Sequence, residues 1–259
     1  MKSFLVALCL VALVGCSRSS VVDVTLNASG QSSRVQYVVV HYTSASLERS
    51  LHLLTQTEVS SQYLIGDQPE PLIYRLVDED RRAWHAGDSN WQGRTWLNAS
   101  TIGIEIVHPG YVEQDGQRRW IAYAPKQIER LVELLVDIQK RHQLPIDAVI
   151  AHSDVAPLRK VDPGPLFPWQ ALAQAGLISW PNHAQLTQAA EQLGAQVPDH
   201  AWFQSRLKTL GYGLEVNGVW DELSAACLRA WQMKYRPSRY DGLPDLESAV
   251  WLLALTGGR

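Results

Sequence analysis

Thr101-Ile102-Gly103-Ile104-Glu105-Ile106-Val107 is the stretch on which the fold turns. Side chains alternate across a strand, so Ile102, Ile104 and Ile106 share one face while Thr101, Gly103 and Glu105 share the other. The isoleucine face predicts a buried layer. The opposite face carries a carboxylate, Glu105, that an apolar layer would not accept. Gly103 beside it leaves room, as a strand glycine does where another group approaches closely.

Working outward, Val35 to Tyr42 is a continuous apolar, β-branched run and predicts a buried strand ending at His41. A helix is expected next, capped by Ser46 and burying Leu47, Leu51 and Leu54. Short strands are expected at Gln62 to Ile65 and Ile73 to Val77, parted by Gly66-Asp67 and the prolines Pro69 and Pro71. Pro125 to Arg141 predicts a long amphipathic helix with Ile128, Leu131, Leu135 and Ile138 as its stripe. Ala148 to Ala151 is another short strand ending at a histidine, His152.

Strands interleaved with helices imply an α/β fold, a central mixed β-sheet flanked by helices, over residues 34–180. Residues 181–198 lose the pattern and are expected to be a linker. Residues 199–259 read as a second, small three-helix domain, with helices near Ala201 to Leu210, Asp221 to Lys234 and Asp245 to Leu255.

The composition suits this. With 46% hydrophobic and 19% charged residues among 259, the chain can bury the cores of one or two domains and is not a disordered polymer. A net charge of −3 without any Lys/Arg cluster argues against nucleic acid as a partner. Ten tryptophans suit both core packing and the gripping of sugar faces.

The N-terminus predicts an address. Met1-Lys2-Ser3 precedes an apolar run from Phe4 to Val14, shorter than the roughly 20 residues that cross a bilayer but suited to a signal-peptide core. Leu13-Val14-Gly15-Cys16 resembles the lipobox of bacterial lipoproteins. Residues 1–15 are then a signal peptide, Cys16 the lipidation site, and residues 16–33 a flexible tether rich in Ser, Asn and Gly. By resemblance to lipoprotein sorting signals, Ser17 rather than Asp after the cysteine implies an outer-membrane anchor with the body in the periplasm. Cys9 leaves with the signal and Cys16 carries lipid, so Cys227 alone remains and no internal disulfide can form.

A catalytic zinc site needs about three imidazole or carboxylate ligands and an open position for water. Neither HExxH nor paired CxxC is present, so any such site must be assembled from distant segments. Spacing alone does not choose among eight histidines. His41 and His152 stand out because each ends an apolar strand, where a sheet presents groups to a crevice. His52 fits a helix boundary better than a ligand position.

His152-Ser153-Asp154-Val155-Ala156-Pro157-Leu158-Arg159-Lys160-Val161-Asp162-Pro163-Gly164-Pro165 resembles the signature of the type 2 N-acetylmuramoyl-L-alanine amidases, zinc enzymes related to the peptidoglycan recognition proteins. Val39-Val40-His41-Tyr42-Thr43, Ala83-Trp84-His85-Ala86-Gly87 and Ile102-Gly103-Ile104-Glu105-Ile106 fit the same family in the same order, over about residues 35–170. His108 stands where that pattern has a smaller polar residue.

The resemblance implies zinc ligands at His41, His152 and Asp162, with Glu105 and Lys160 as catalytic groups. It implies hydrolysis of the amide between the lactyl group of N-acetylmuramic acid and L-alanine. Zinc brings the pKa of bound water toward roughly 7, a carboxylate can accept the proton, and an ammonium can face the oxyanion. Pro157, Pro163 and Pro165 would stiffen the loop that aims Lys160. Trp84, His85 and Asn98, in loops before the Glu105 strand, are candidate contacts to sugar or peptide.

Beyond residue 199, Trp202 to Tyr212, Asn217 to Asp221 and Leu228 to Gln232 resemble the small three-helix peptidoglycan-binding module of wall hydrolases. Asn217-Gly218 is a turn and Asp221 a helix cap. The expected partners are peptidoglycan and muropeptides, and the membrane through the lipid anchor. The competing reading is a non-catalytic peptidoglycan recognition lipoprotein. A binder could dispense with Asp162 or Glu105, whereas both are present; a purely structural lipoprotein would need no polar constellation at all.

Overall fold

The computed structural model describes residues 22–257, so the expected signal peptide, Cys16 and the start of the tether lie outside the described residues. Two compact units divide the chain after Ser32. In the first, residues 22–32 are exposed and carry no helix or strand. There Asp23 Oδ1 accepts hydrogen bonds from the Thr25 N–H and hydroxyl. None of the described helices is long and apolar enough to cross a membrane.

The second unit runs through β1 (Tyr37–Tyr42), α1 (Leu47–Gln56), β2 (Tyr63–Ile65) and β3 (Ile73–Arg75), then a small hairpin of β4 (Asn90–Trp91) and β5 (Arg94–Thr95). β6 (Thr101–Ile106) precedes a second hairpin, β7 (Tyr111–Gln114) and β8 (Gln117–Trp120), followed by α2 (Pro125–His142), β9 (Val149–Ala151), α3 (His152–Val155) and α4 (Trp169–Gln174). Four helices complete it: α5 (His183–Leu193), α6 (His200–Leu210), α7 (Glu222–Tyr235) and α8 (Leu246–Thr256).

The five-stranded sheet has the order β3-β2-β6-β1-β9. β2, β6, β1 and β9 pair in parallel, and β3 runs antiparallel at the edge, giving the expected mixed sheet. The alternation read from sequence sets its faces. Val38, Val40, Ile102, Ile104 and Ile106 pack with Ile128, Leu131, Leu135 and Ile138 of α2. Each such aliphatic side chain removed from water contributes about 1.5–3 kcal/mol. Tyr37, Val39 and Ile150 point the other way and pack with Phe203, Leu207, Trp231 and Leu252 of the C-terminal helices.

That second layer changes the domain picture. The three expected helices are α6, α7 and α8, but they share an apolar core with the sheet, and Ser33–Arg259 form one compact unit. The interval 181–198 is not a bare linker, because it holds α5, which packs against α8. Polar composition hid a capping box there: Asn182 Oδ1 accepts from the Gln185 N–H at 2.9 Å, and Gln185 Oε1 accepts from the Asn182 N–H at 2.9 Å. Asp221 caps α7 as expected, its side chain accepting from Ser224 N–H at 2.8 Å.

Candidate active site

Sheet register builds the site. β1 and β6 pair in parallel with His41 opposite Glu105, and alternation puts both on the face of Val39 and Gly103. On the other side of β1, Val40 pairs with Ala151, so His152 emerges one step later, level with His41. Three chemically active side chains thus meet at the carboxyl ends of adjacent parallel strands, where open α/β sheets form their crevices. Asp162 returns through the loop after α3, tied by a hydrogen bond from Ser153 N–H to its carbonyl at 2.9 Å.

His41 Nδ1 lies 2.9 Å from His152 Nδ1 and 3.2 Å from Asp162 Oδ2, and His152 Nδ1 lies 3.0 Å from the same oxygen. The outer bonds fix which nitrogens carry protons. Thr101 donates its hydroxyl to the Leu97 carbonyl at 2.7 Å, so toward His85 Nε2, at 3.1 Å, it can only accept. His85 Nδ1 is then the acceptor for His41 Nε2–H at 3.0 Å. His152 Nε2 faces the Ala86 carbonyl at 3.3 Å and must be its donor. Both Nδ1 atoms are left with bare lone pairs.

Two imidazole lone pairs and a carboxylate oxygen, all buried, therefore converge with no proton between them. That donor set is repulsive by itself and fits a divalent cation that takes N and O ligands, such as zinc. Burial, and next the neighbouring His152, lower His41 to about 4, so its imidazole is neutral at physiological pH. Burial opposes ionisation of Asp162, but a proton on the facing His152 or His41 ring, standing where a cation would sit, holds its carboxylate well below the usual range.

Glu105 and Lys160 line the same cleft of about 400 Å³, with Tyr42, Trp84 and Arg159. Glu105 Oε2 is buried and has no hydrogen-bond partner. Burial, then the charge of Asp162, push its carboxyl up to about 8, while Lys160 opposes the rise. A carboxyl poised near neutrality, with an unused oxygen in a cleft, is suited to taking up and releasing a proton.

His85 lines the cleft but its ring is committed to His41 and Thr101, which makes it an orienting group for a ligand histidine. Gly103 supplies the room predicted for it: a Cβ there would sit 2.4 Å from the His85 ring. Asn98 is buried away from the cleft, and its Oδ1 accepts from the backbone N–H groups of His85 and Ala86 at 3.1 and 2.8 Å. It shapes the loop rather than reaching for substrate. Trp84 is 48% exposed at the cleft, with the Arg82 guanidinium over its ring. His108 is buried and stacks on Tyr123 at 3.8 Å, and His52 is exposed on α1.

A family model for N-acetylmuramoyl-L-alanine amidases matches residues 31–165, more than half of the chain. The chain belongs to that family. The amidase is 37% identical to the N-acetylmuramoyl-L-alanine amidase AmiD of Escherichia coli (strain K12) over 239 residues, covering 90% of this chain and 86% of that one. A solved structure of E. coli AmiD with the substrate anhydro-N-acetylmuramic acid-L-Ala-D-gamma-Glu-L-Lys superposes with a TM-score of 0.83 at 35% identity, over 92% of this chain and 94% of that one. AmpDh3 from Pseudomonas aeruginosa, in complex with anhydromuramic pentapeptide, gives 0.84 at 35% identity, over 92% and 98%. The family is zinc-dependent, and the amidase has in His41, His152 and Asp162 a buried group that could hold the ion.

Sequence reasoning missed Arg159, whose guanidinium donates to the carbonyls of Ala86 and Asp88 at 3.0 and 2.7 Å and pins the Trp84 loop to the loop of Lys160. No local pattern marks such a contact. The role of His85 did leave a trace, in the glycine opposite it.

Proposed function

We propose that this amidase hydrolyses the bond between N-acetylmuramic acid and L-alanine in peptidoglycan or its fragments, with zinc held by His41, His152 and Asp162. The observation that carries the reading is the convergence of three unprotonated donors beside a buried carboxyl with a free oxygen. When bound, zinc supplies the Lewis acidity that acidifies water and polarises an amide carbonyl. Glu105 accepts the proton lost by the attacking water and passes it to the alanine nitrogen as the C–N bond breaks. Lys160 keeps its ammonium on the side where the carbonyl oxygen becomes an oxyanion. His85 holds His41 in the tautomer that leaves Nδ1 free, and Trp84 offers an exposed ring to the sugar or peptide.

Relatives solved with anhydro-muramyl peptides make such a muropeptide the first substrate to test. Purified protein should release free stem peptide from it, lose that activity to a chelator, and regain it with added zinc. His41→Ala should be inactive. Cleavage that survives chelation, or zinc-loaded protein that binds muropeptide without cutting it, would overturn the reading, the latter in favour of a recognition protein.

The sequence of residues 1–17 supports a further part of the proposal: lipidation at Cys16, an outer-membrane anchor and a periplasmic catalytic unit. Cys16→Ala should move the protein from the membrane to the soluble fraction. Retention on the membrane would sink the anchor.

A further inference from the structure

We propose that the C-terminal helices are part of the active-site scaffold, with Tyr212, Lys234 and Tyr240 as positioning residues for the segments that carry His152 and Asp162. The proposal rests on the zinc-site reading above and assigns a task to helices that the sequence suggested only as a wall-binding module.

The first contact is at α3. This helix has only four residues, and its C-cap Ala156 N–H donates to the His152 carbonyl at 3.0 Å. So short a helix does not hold its own orientation. Asp154, two residues after His152, supplies the hold. Its Oδ2 accepts from Ala151 N–H at 2.9 Å, and its Oδ1 accepts from the Tyr212 hydroxyl at 2.6 Å. Lys234 of α7 brings its Nζ to 3.8 Å from Oδ2, with both side chains buried. The Lys234 ammonium also sits 4.2 Å over the Trp169 ring. A cavity of about 30 Å³ borders Asp154, Tyr212 and Lys234, and the indole N–H groups of Trp91 and Trp231, which also line it, have no protein partner. That is room for about two waters.

The second contact is at the Asp162 loop. Gly164, two residues on, has φ +84° and lies against Trp120, where a Cβ would come within 2.5 Å of the ring. Trp120 is held from outside: its Nε1–H donates to the Tyr240 hydroxyl at 2.8 Å, in the loop between α7 and α8. The two held segments are joined by the Ser153 to Asp162 backbone bond. The C-terminal region thus reaches both ligand-bearing segments two residues from each ligand, directly at Asp154 and through Trp120 at Gly164.

A buried ion pair is an inefficient way to stick helices to a sheet, because desolvation offsets its attraction and an apolar pair would pack as well. Directional bonds to Asp154 make sense if what matters is where α3 points.

The test compares Tyr212→Phe and Tyr240→Phe with Leu135→Ala, a packing change on the opposite face of the sheet. Zinc affinity is read by competition with a chelator, kcat and KM on a muropeptide, and the unfolding midpoint on the metal-free proteins. Tyr212→Phe, which keeps the ring against Trp91, is expected to weaken zinc about 10-fold and to lower kcat with KM nearly unchanged. Tyr240→Phe should weaken zinc about threefold. Leu135→Ala should lower the midpoint while zinc affinity stays at the wild-type value. Wild-type zinc affinity in both tyrosine variants, or equal weakening in Leu135→Ala, overturns the proposal. If the wild type binds zinc yet cleaves nothing, the amidase reading fails while the affinity comparison still decides this one.

Discussion

Glu105→Gln should remove activity and at the same time stabilise the metal-free protein, in a way that depends on pH. The carboxyl is raised from its ordinary 4.5 to about 8, first by burial and then by Asp162. Between those values the folded protein keeps a proton that the unfolded chain releases, so folding stability falls as pH rises through that window. Each pH unit costs about 1.4 kcal/mol, which makes the penalty under 1 kcal/mol at pH 5 and about 3 kcal/mol at pH 7. Glutamine has nearly the same shape and no such slope. Chemical denaturation of chelator-treated wild type and variant at pH 5 and pH 7 should therefore give a small gap at the lower pH and a gap of about 3 kcal/mol at the higher, favouring the variant. In parallel, zinc-loaded variant should lose at least about 10²-fold in kcat, the usual worth of a general base. A gap that does not grow with pH would refute the account of Glu105's burial, and retained activity would refute its role.

Lys160→Met should lower kcat by about 10²–10³ with little change in KM, as removal of an oxyanion partner does, and steady-state kinetics on a muropeptide would check it. Gly103→Ala would drive a methyl group into the His85 ring, with a Cβ 2.4 Å away, so a loss of about 1–3 kcal/mol in stability and weaker zinc binding are expected from denaturation and chelator competition. Glu79 accepts from Tyr63 at 2.7 Å and from Arg141 at 2.9 Å, and lies 2.8 Å from His142. Burial would raise its carboxyl, but these partners, Arg141 foremost, bring it down to about 2. Its stabilisation is full above pH 4.5 and fades as pH falls toward 2, so Glu79→Gln should cost about 1–2 kcal/mol at pH 7, allowing for solvent around Arg141, and almost nothing near pH 2.

The layers of the fold were legible because the isoleucines of β6 and the stripe of α2 carry their burial in their spacing. The empty side of Gly103 was legible too, since only a close neighbour explains a glycine there. The site was less so. Strand ends marked His41 and His152, but nothing local says that His41 sits opposite Glu105, because register belongs to pairings between distant strands. Asp162 comes from irregular backbone, and only the family motif picked it out. The β7–β8 hairpin went unread although Asp115-Gly116, both at positive φ, is a recognised two-residue turn signal. Its flanks, Glu113-Gln114 and Gln117-Arg118-Arg119, lack the alternation that marks a buried strand. The helix α5 was concealed in the same way by polar residues whose capping bonds appear only in three dimensions.

The spacing of the ligands in the chain also orders events in time. His41 is separated by 111 positions from His152 and by 121 from Asp162, so an unfolded chain must close a very long loop before an ion could be gripped at three points. Pairing of β1 with β9, which sets His41 level with His152, brings these distant segments together and builds the cradle that an ion would enter. Its binding free energy then goes into deepening a finished fold, not into nucleating one.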